Sequence, residues 1–367
     1  MCTIAGNNIF NQWHTDANII SGFCDVPLYT PAENSSIGKD YTEIEIVAIL
    51  WSYNIYRTKD SFYISGIWGG KKVEFRRIIL PPECSTHEKV LITGNDYYLF
   101  FVQRNIGKLW IMDESDCVKE ITFNEAPVDN SPKRRKEDYS FGKIRATNDS
   151  FLCHTDDGIV YAGLLPSLVN TKHCTGSVCD ISCGYEHCML LTDVGRVYTW
   201  GNGRRLQLGH GDLDNLETPT EVEALAGIKI VKICAGGWHS AALSEFGDLY
   251  VWGWNDMGQL GTRSKDEEET DASLPNSFGL PTLVDIYDSN REIVNANVKD
   301  IACGSRHTAI ILEDNSVWTS GCNKYGQLGL DHRLYPKVSY YKNTLKTEVN
   351  CKLMCGPWTT VLQRLSF

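Results

Sequence analysis

From residue 183 onward, short apolar runs alternate with tight polar turns in a pattern that recurs along the chain. Three histidines mark its register. His187 is followed by the apolar run CMLLT, His239 by SAALS and His307 by TAIIL. A turn comes next in each copy (DVGR, EFGD, EDNS), then a second strand at Val197-Tyr198, Leu249-Tyr250 and Val317-Trp318. Gly201, Gly253 and Gly321 close these strands, and LQLG, GQLG and GQLG follow, ending at Gly209, Gly261 and Gly329. Short β-branched and aromatic runs bounded by Gly and Asp predict hairpins. The glycines supply backbone freedom where the chain bends into the next strand. The histidines stand 52 and 68 residues apart, and a period near 50 residues is that of propeller blades, not of helical solenoids.

The two ends of the chain complete the pattern. Cys355-Gly-Pro-Trp-Thr359 restates the opening of the repeat, and the segment from Gly6 to Gln12 supplies its second half in the spacing of Gly201 to Gln207. One blade is thus divided between the termini, and pairing its halves closes a ring and removes free sheet edges. Weaker copies occupy the first half: Trp51-Ser-Tyr53 with NIYRT and SFYISG, Asn95–Gln103 with Lys108–Met112, and Thr155–Gly163. The expectation is an all-β, seven-bladed β-propeller: a single domain over residues 1–367, closed by its N- and C-terminal segments and monomeric. Irregular insertions are expected at about 124–140 and 262–280, the second accounting for the long spacing between His239 and His307.

Composition narrows the function. The chain has 35 basic and 46 acidic side chains, a net charge of −11. That balance opposes direct nucleic-acid binding, which needs clustered Lys and Arg, and suits a basic protein partner such as a histone. The opening MCTIAGNNIFNQWHTD has no basic or apolar signal region, and no apolar run reaches the length of a membrane span. The fourteen cysteines are therefore expected to be reduced, buried hydrophobes of a nuclear and cytoplasmic protein. Lys133-Arg-Arg-Lys136 reads as a solvated charge run, with a nuclear localisation patch as the sharper alternative.

The blades TDVGRVYTWGNGRRLQLGHG and SEFGDLYVWGWNDMGQLG resemble regulator of chromosome condensation repeats, whose usual form ends in WG-x-N-x-x-GQLG. The likeness is strong over 183–367 and weak over 1–182. AGGWHSAALSEFGDLYVWGWNDMGQLG, CGSRHTAII and CGPWTT are similar to a small, single-propeller branch of that family. The resemblance implies a partner-binding scaffold for a Jumonji-C type oxygenase, with a place in histone-methylation control and mitotic chromosome segregation. It also offers guanine-nucleotide exchange on a Ran-like GTPase as an alternative. Residues 1–20 contain no Lys or Arg, so the basic N-terminal tail of the founding member has no counterpart there.

Motif chemistry points away from catalysis. His173, Cys174, Cys179, Cys183, His187 and Cys188 have zinc-ligand types without zinc-ligand spacing, and Cys183 and His187 recur as Cys303 and His307, which makes them parts of the blade. His14-Thr-Asp16, His154-Thr-Asp156 and His210-Gly-Asp212 each offer the HxD fragment of an iron oxygenase, but in unrelated repeat contexts. No phosphate loop, nucleophile elbow or HExxH occurs. No enzyme, cofactor or metal is expected. Contact residues are sought instead at the two positions before each histidine, which vary while their flanks repeat: Trp51, Tyr185, Glu186, Trp238, Arg306 and Trp358. Trp, Tyr and Arg dominate interface hot spots; the competing reading is that the tryptophans wedge between blades. Arg204, Arg205, Lys324 and Tyr325 occupy matched loops and suggest a second, more polar patch. Arg145 is a candidate exposed contact or modification position, with strand-edge packing as the plainer account.

Overall fold

In the computed structural model, which describes residues 2–26, 28, 44–59, 61–84, 89–104, 108–123, 140–263, 276–347 and 350–364, the predicted hairpins are present. Among these residues, 28 strands form seven four-stranded antiparallel sheets. Blade 1 holds β3 (Glu45–Ile49), β4 (Tyr53–Arg57), β5 (Phe62–Trp68) and β6 (Lys71–Arg77). Blade 2 holds β7 (Val90–Gly94), β8 (Tyr98–Gln103), β9 (Lys108–Asp113) and β10 (Val118–Ile121); blade 3 holds β11 (Phe141–Ala146), β12 (Phe151–Thr155), β13 (Val160–Ala162) and β14 (Ser167–Leu168). Blade 4 runs from β15 (Val178–Cys183) through β16 (His187–Thr192) and β17 (Val197–Gly201) to β18 (Leu216–Glu221). Blade 5 comprises β19 (Ile230–Ala235), β20 (His239–Ser244), β21 (Leu249–Trp254) and β22 (Ser277–Leu283). Blade 6 comprises β23 (Val298–Cys303), β24 (His307–Leu312), β25 (Ser316–Cys322) and β26 (Lys337–Lys346).

Blade 7 is the divided one. Its order is β2 (Ile19–Val26), β1 (Cys2–Asn7), β28 (Thr359–Arg364) and β27 (Cys351–Gly356), with Cys2 opposite Gln363 and Gly6 opposite Thr359. The first strands touch in the cyclic order β3, β7, β11, β15, β19, β23, β27 and back to β3, so the ring is closed. The insertion expected at 262–280 is shorter than the sequence suggested: Ser277–Leu283 is the outer strand of blade 5, and 264–275 lie outside the described residues. The other expected insertion lies almost wholly outside them too, including Lys133–Lys136.

Inner strands such as β20 and β24 are buried at every position because both faces of each sheet pack on neighbouring blades, and apolar clusters fill the spaces between them. One such cluster joins Ala241, Leu249 and Val251 of blade 5 to Ile301, Ile310 and Trp318 of blade 6. Toward the axis, ion pairs bridge consecutive first strands: Lys143 with Asp180, Lys232 with Asp300, and Lys352 with Glu45 at 3.4 Å. The cysteines are not uniformly interior. Cys24, Cys117 and Cys179 are exposed, because they sit on the outer strand of blade 7, in the β9–β10 turn and at the bulge of β15.

The recurring histidines explain the repeat. His187, His239 and His307 are fully buried, and each reaches into the next blade: His187 Nε2 to Ser240 Oγ at 3.0 Å, His239 Nε2 to Thr308 Oγ1 at 2.9 Å, and His307 Nε2 to Thr360 Oγ1 at 3.1 Å. Each hydroxyl in turn donates to the backbone carbonyl of the glutamine in the preceding LQLG or GQLG loop, Gln207, Gln259 or Gln327, at 2.7–2.8 Å. A hydroxyl has a single proton to give. That proton is committed to the carbonyl, so Nε2 must carry the hydrogen and donate, which leaves Nδ1 bare. All three Nδ1 atoms are buried without a partner. The glycine three residues earlier is required by the same packing: a Cβ on Gly184, Gly236 or Gly304 would stand 2.0–2.2 Å from the Cε1 of the ring.

Two expected outcomes follow from this joint. Gly304→Ala forces the His307 ring out of place and should cost about 1–3 kcal/mol, as overpacking of a tight core does; the urea midpoint measures it. Burial without a partner for the imidazolium pushes His187 down to about 4 and His239 and His307 down to about 3. Above pH 6.5 both folded and unfolded forms hold these rings neutral, and the stability they contribute is complete. Between pH 6.5 and about 3 the unfolded chain binds protons that the folded one does not, so stability falls as pH falls. At pH 5 these rings add about three protons to the uptake on unfolding, read from the pH dependence of unfolding free energy, and His239→Gln should remove about one of them.

Candidate protein-binding face

The loop between the first and second strands of a blade, and the loop between its third and fourth, leave the sheet at the same end. The variable pairs before the histidine position therefore share a face with the LQLG and GQLG loops. Backbone hydrogen bonds stitch the first-type loops together around the ring: Tyr185 N to Gly237 O and Gly237 N to Gly304 O, both at 3.1 Å, and Ser305 N to Pro357 O at 2.9 Å. Neighbouring side chains at these positions are thereby held in contact.

An arc of half-buried aromatic and guanidinium groups results. Tyr185 meets Trp238 edge-on at 5.8 Å, and its hydroxyl bonds the Ser305 hydroxyl. The Arg205 guanidinium lies 5.3 Å from the Trp238 ring and 3.6 Å from the Trp254 ring, and Arg306 covers Trp254 as well at 4.5 Å. Arg306 also pairs with Asp256 at 3.1 Å. Farther round, Trp51, Tyr325 and Trp358 form a triangle of edge-to-face rings with centroids 5.4–6.0 Å apart, and Phe10 packs on Trp51 at 5.5 Å. Cation–π contacts of this exposure contribute about 0.5–1 kcal/mol each, enough to pre-set side chains for contact without burying them.

Of the two patches expected from sequence, the structure makes one: Arg205 and Tyr325 join the arc, because their loops lie beside the variable pairs. Lys324, exposed, holds its ammonium 5.3 Å from the Tyr325 ring. Arg204 is exposed beside Arg205, and Glu186 is exposed and accepts from Asn202 Nδ2 at 2.8 Å. The wedge between blades is a different tryptophan. Trp252 is fully buried and donates Nε1–H to Gln207 O at 2.9 Å, whereas Trp238, Trp358 and Trp51 stay half-exposed. Arg145 is exposed on β11, with Nη1 donating to the Ile144 carbonyl at 3.2 Å.

Sequence reasoning missed Trp254 and Phe10, although a signal was available. Phe10 stands in the register of Arg205 and Tyr325, two residues after the Asn8, Gly203 or Asn323 position that opens the loop. It also missed Asp96-Tyr97 and Asn148-Asp149, the variable pairs of blades 2 and 3. There Tyr98 and Ser150 stand where other blades carry histidine, so no anchor residue announces the register. The zinc-type cluster does not converge. Cys183 and Cys188 face each other across β15 and β16 with sulfurs 3.7 Å apart, His187 serves the inter-blade joint, and His173 bonds Pro219 O on the outer edge. The three HxD fragments lie on blades 7, 3 and 4.

The comparisons agree with this architecture. Residues 194–243 and 247–311 match the family model described as regulator of chromosome condensation (RCC1) repeat, and a second model of that description matches 178–207, 230–259 and 298–327. RCC1 repeats are thus matched within residues 178–327. Curated homologues include RCC1 domain-containing protein 1 of Mus musculus, 38% identical over 213 residues, and of Homo sapiens, 34% over 212; each alignment covers 49% of this chain and 54% of the relative. The chain thus spans about half the length of the curated relatives it matches. Among solved structures, Prp20p of Saccharomyces cerevisiae, described with its binding to Gsp1p and histones, superposes with a TM-score of 0.72 over 100% of this chain and 92% of its own, at 18% identity. At that identity the likeness is one of fold.

A stability comparison separates the two kinds of tryptophan. Trp252→Ala should cost about 3–5 kcal/mol, as truncation of a buried ring does. Trp238→Ala should stay below about 1 kcal/mol, because a half-exposed ring loses little burial. Equilibrium unfolding in urea of both variants reads the difference.

Proposed function

We propose that this propeller is a non-enzymatic scaffold that binds a protein partner through the aromatic–guanidinium arc. The supporting observation is the arc itself: Tyr185, Trp238, Trp254, Arg306, Trp51 and Trp358 occupy positions that the repeat leaves free, and the blade does not need them buried. Groups of this kind, pre-set by their neighbours, lower the entropic cost of ordering an interface. The partner we assign is a Jumonji-C type oxygenase, in a nuclear and cytoplasmic setting tied to histone methylation and chromosome segregation, on the strength of the likeness to RCC1 domain-containing protein 1. Histones are a further candidate, favoured by the acidic balance of the chain and by what is described for Prp20p. The same description, naming Gsp1p, keeps guanine-nucleotide exchange as the second reading.

A pulldown from nuclear extract decides among these, using wild-type protein and a Trp238→Ala, Arg306→Ala, Trp358→Ala variant with matched unfolding curves. Capture of a Jumonji-C oxygenase by wild type, reduced at least about tenfold in the variant, is the expected result; three hot-spot truncations at about 1–2 kcal/mol each exceed that easily. Equal capture by both proteins would move the interface elsewhere. Capture of a small GTPase whose nucleotide release the chain accelerates at substoichiometric amounts would replace the scaffold with an exchange factor.

A further inference from the structure

The face is not uniform. The arc occupies blades 4 to 7 and blade 1, while blades 2 to 4 present Asp96, Glu114, Asp149 and Glu186. None of these four carboxylates forms an ion pair among the described residues. Asp96 is held above the usual carboxylate range by burial and by the charge of Glu114, and it lies close enough to Tyr185 to act on that hydroxyl. Like charges left together at a surface carry an electrostatic penalty that a cationic partner group removes.

Between blades 3 and 4 this acidic sector sinks into a cleft of about 390 Å³. Asp149 and Glu186 stand at its lining with Tyr185; Phe151 and Leu152 lie beneath it, fully buried. Ser150 lines it too, and its Oγ is buried without a hydrogen-bond partner among the described residues. Asp149 spends Oδ1 on Thr147 Oγ1 at 3.2 Å, and Glu186 spends Oε2 on Asn202; the second oxygen of each carboxylate is uncommitted among the described residues. The cleft thus combines two carboxylates, an orphaned hydroxyl and a phenol ring.

We infer that this cleft receives an arginine side chain of the protein partner that lies across the arc. The inference rests on the partner-binding reading and adds the chemistry of one anchor. Guanidinium suits the cleft better than ammonium: it is planar and can lie against the Tyr185 ring, it is weakly hydrated, and its fixed fork of five donors can serve two carboxylates at once. The partner's footprint accordingly has an apolar or aromatic segment on the arc and an exposed arginine toward blade 3.

The test uses the full chain, deuterated for amide spectra, and three probes: acetyl-Gly-Arg-Gly-amide, its citrulline analogue and its lysine analogue. The arginine probe should shift the amides of Thr147–Ser150 and Tyr185–Cys188 with saturation, and binding should weaken at least tenfold in Asp149→Asn/Glu186→Gln. Glu186→Gln alone, at an exposed position, keeps the test valid if the double variant unfolds. Citrulline, which is isosteric and neutral, should give no saturating shift. Equal binding of citrulline, equal binding of lysine, or shifts confined to other blades would each overturn the assignment. The arc variant Trp238→Ala, Arg306→Ala, Trp358→Ala should still bind the arginine probe. Partner capture lost in the arc variant but unchanged in Asp149→Asn/Glu186→Gln would therefore sink the arginine anchor while leaving the proposed function standing.

Discussion

A buried imidazole that gives its one N–H to the neighbouring blade organises this molecule. The chain of His Nε2–H, hydroxyl and glutamine carbonyl runs from blade 4 to 5, from 5 to 6 and from 6 to 7, each time tying the second strand of one blade to that of the next. It ties in the loop as well, because the accepting carbonyl belongs to the LQLG or GQLG segment of the histidine's own blade. Three elements are fixed by two hydrogen bonds in a dry interior, where unmade bonds are most costly. The residues that look conserved within the repeat are therefore those of one joint: glycine to admit the ring, histidine to donate, serine or threonine to relay, glutamine to close the loop. The Gln207, Gln259 and Gln327 side chains turn back on their own loops, each accepting from the backbone N–H two residues earlier.

Where the joint changes, the ring is held by other means. At blade 7 the histidine position is Thr359, and blade 1 reaches back through Tyr56, whose hydroxyl donates to Gln12 O at 2.7 Å. Tyr53 takes the histidine position in blade 1 and its hydroxyl donates to Asn95 O of blade 2 at 2.6 Å. Between blades 2 and 3 the contact passes to tilted rings, Phe100 on Phe151 at 4.9 Å, and to Asn95 Nδ2 on Thr147 O at 3.2 Å. A larger aromatic donor or a ring contact thus does the work of the imidazole relay with a different set of residues.

This substitution accounts for what the sequence made legible. Blades 4 to 7 are readable because each joint needs four residue types at fixed spacing, and the divided blade was found through the same marks at Cys355–Thr359 and Gly6–Gln12. Blades 1 to 3 keep the pattern of strands but not the marks, so their number could be counted while their contact positions, Asp96-Tyr97 and Asn148-Asp149, went unseen. The merging of two expected patches into one had a different cause. Which loops share an end of a blade is a property of antiparallel pairing, and spacing along the chain does not display it. Trp252 and Trp254 make the same point within three residues: two apart on β21 they share a side of the strand, and only position along it puts one indole in the joint, on Gln207 O, and the other at the strand's end, between Arg205 and Arg306.

The joint and the face are mechanically the same object seen from two sides. Each variable pair lies between the glycine that admits the imidazole and the imidazole itself, so its backbone is clamped by the buried hydrogen bonds one residue away. A rigid base with free side chains is what a recognition surface requires, since contacts then form without paying to order the loop. The same clamp lets the surface vary: Tyr185, Trp238 and Arg306 can be exchanged without touching the groups that close the ring. Acid should strike both at once: proton uptake by the unfolded chain's histidines weakens the joints between blades 4 and 7, and those are the blades that carry the Tyr185–Trp238–Trp254 part of the arc.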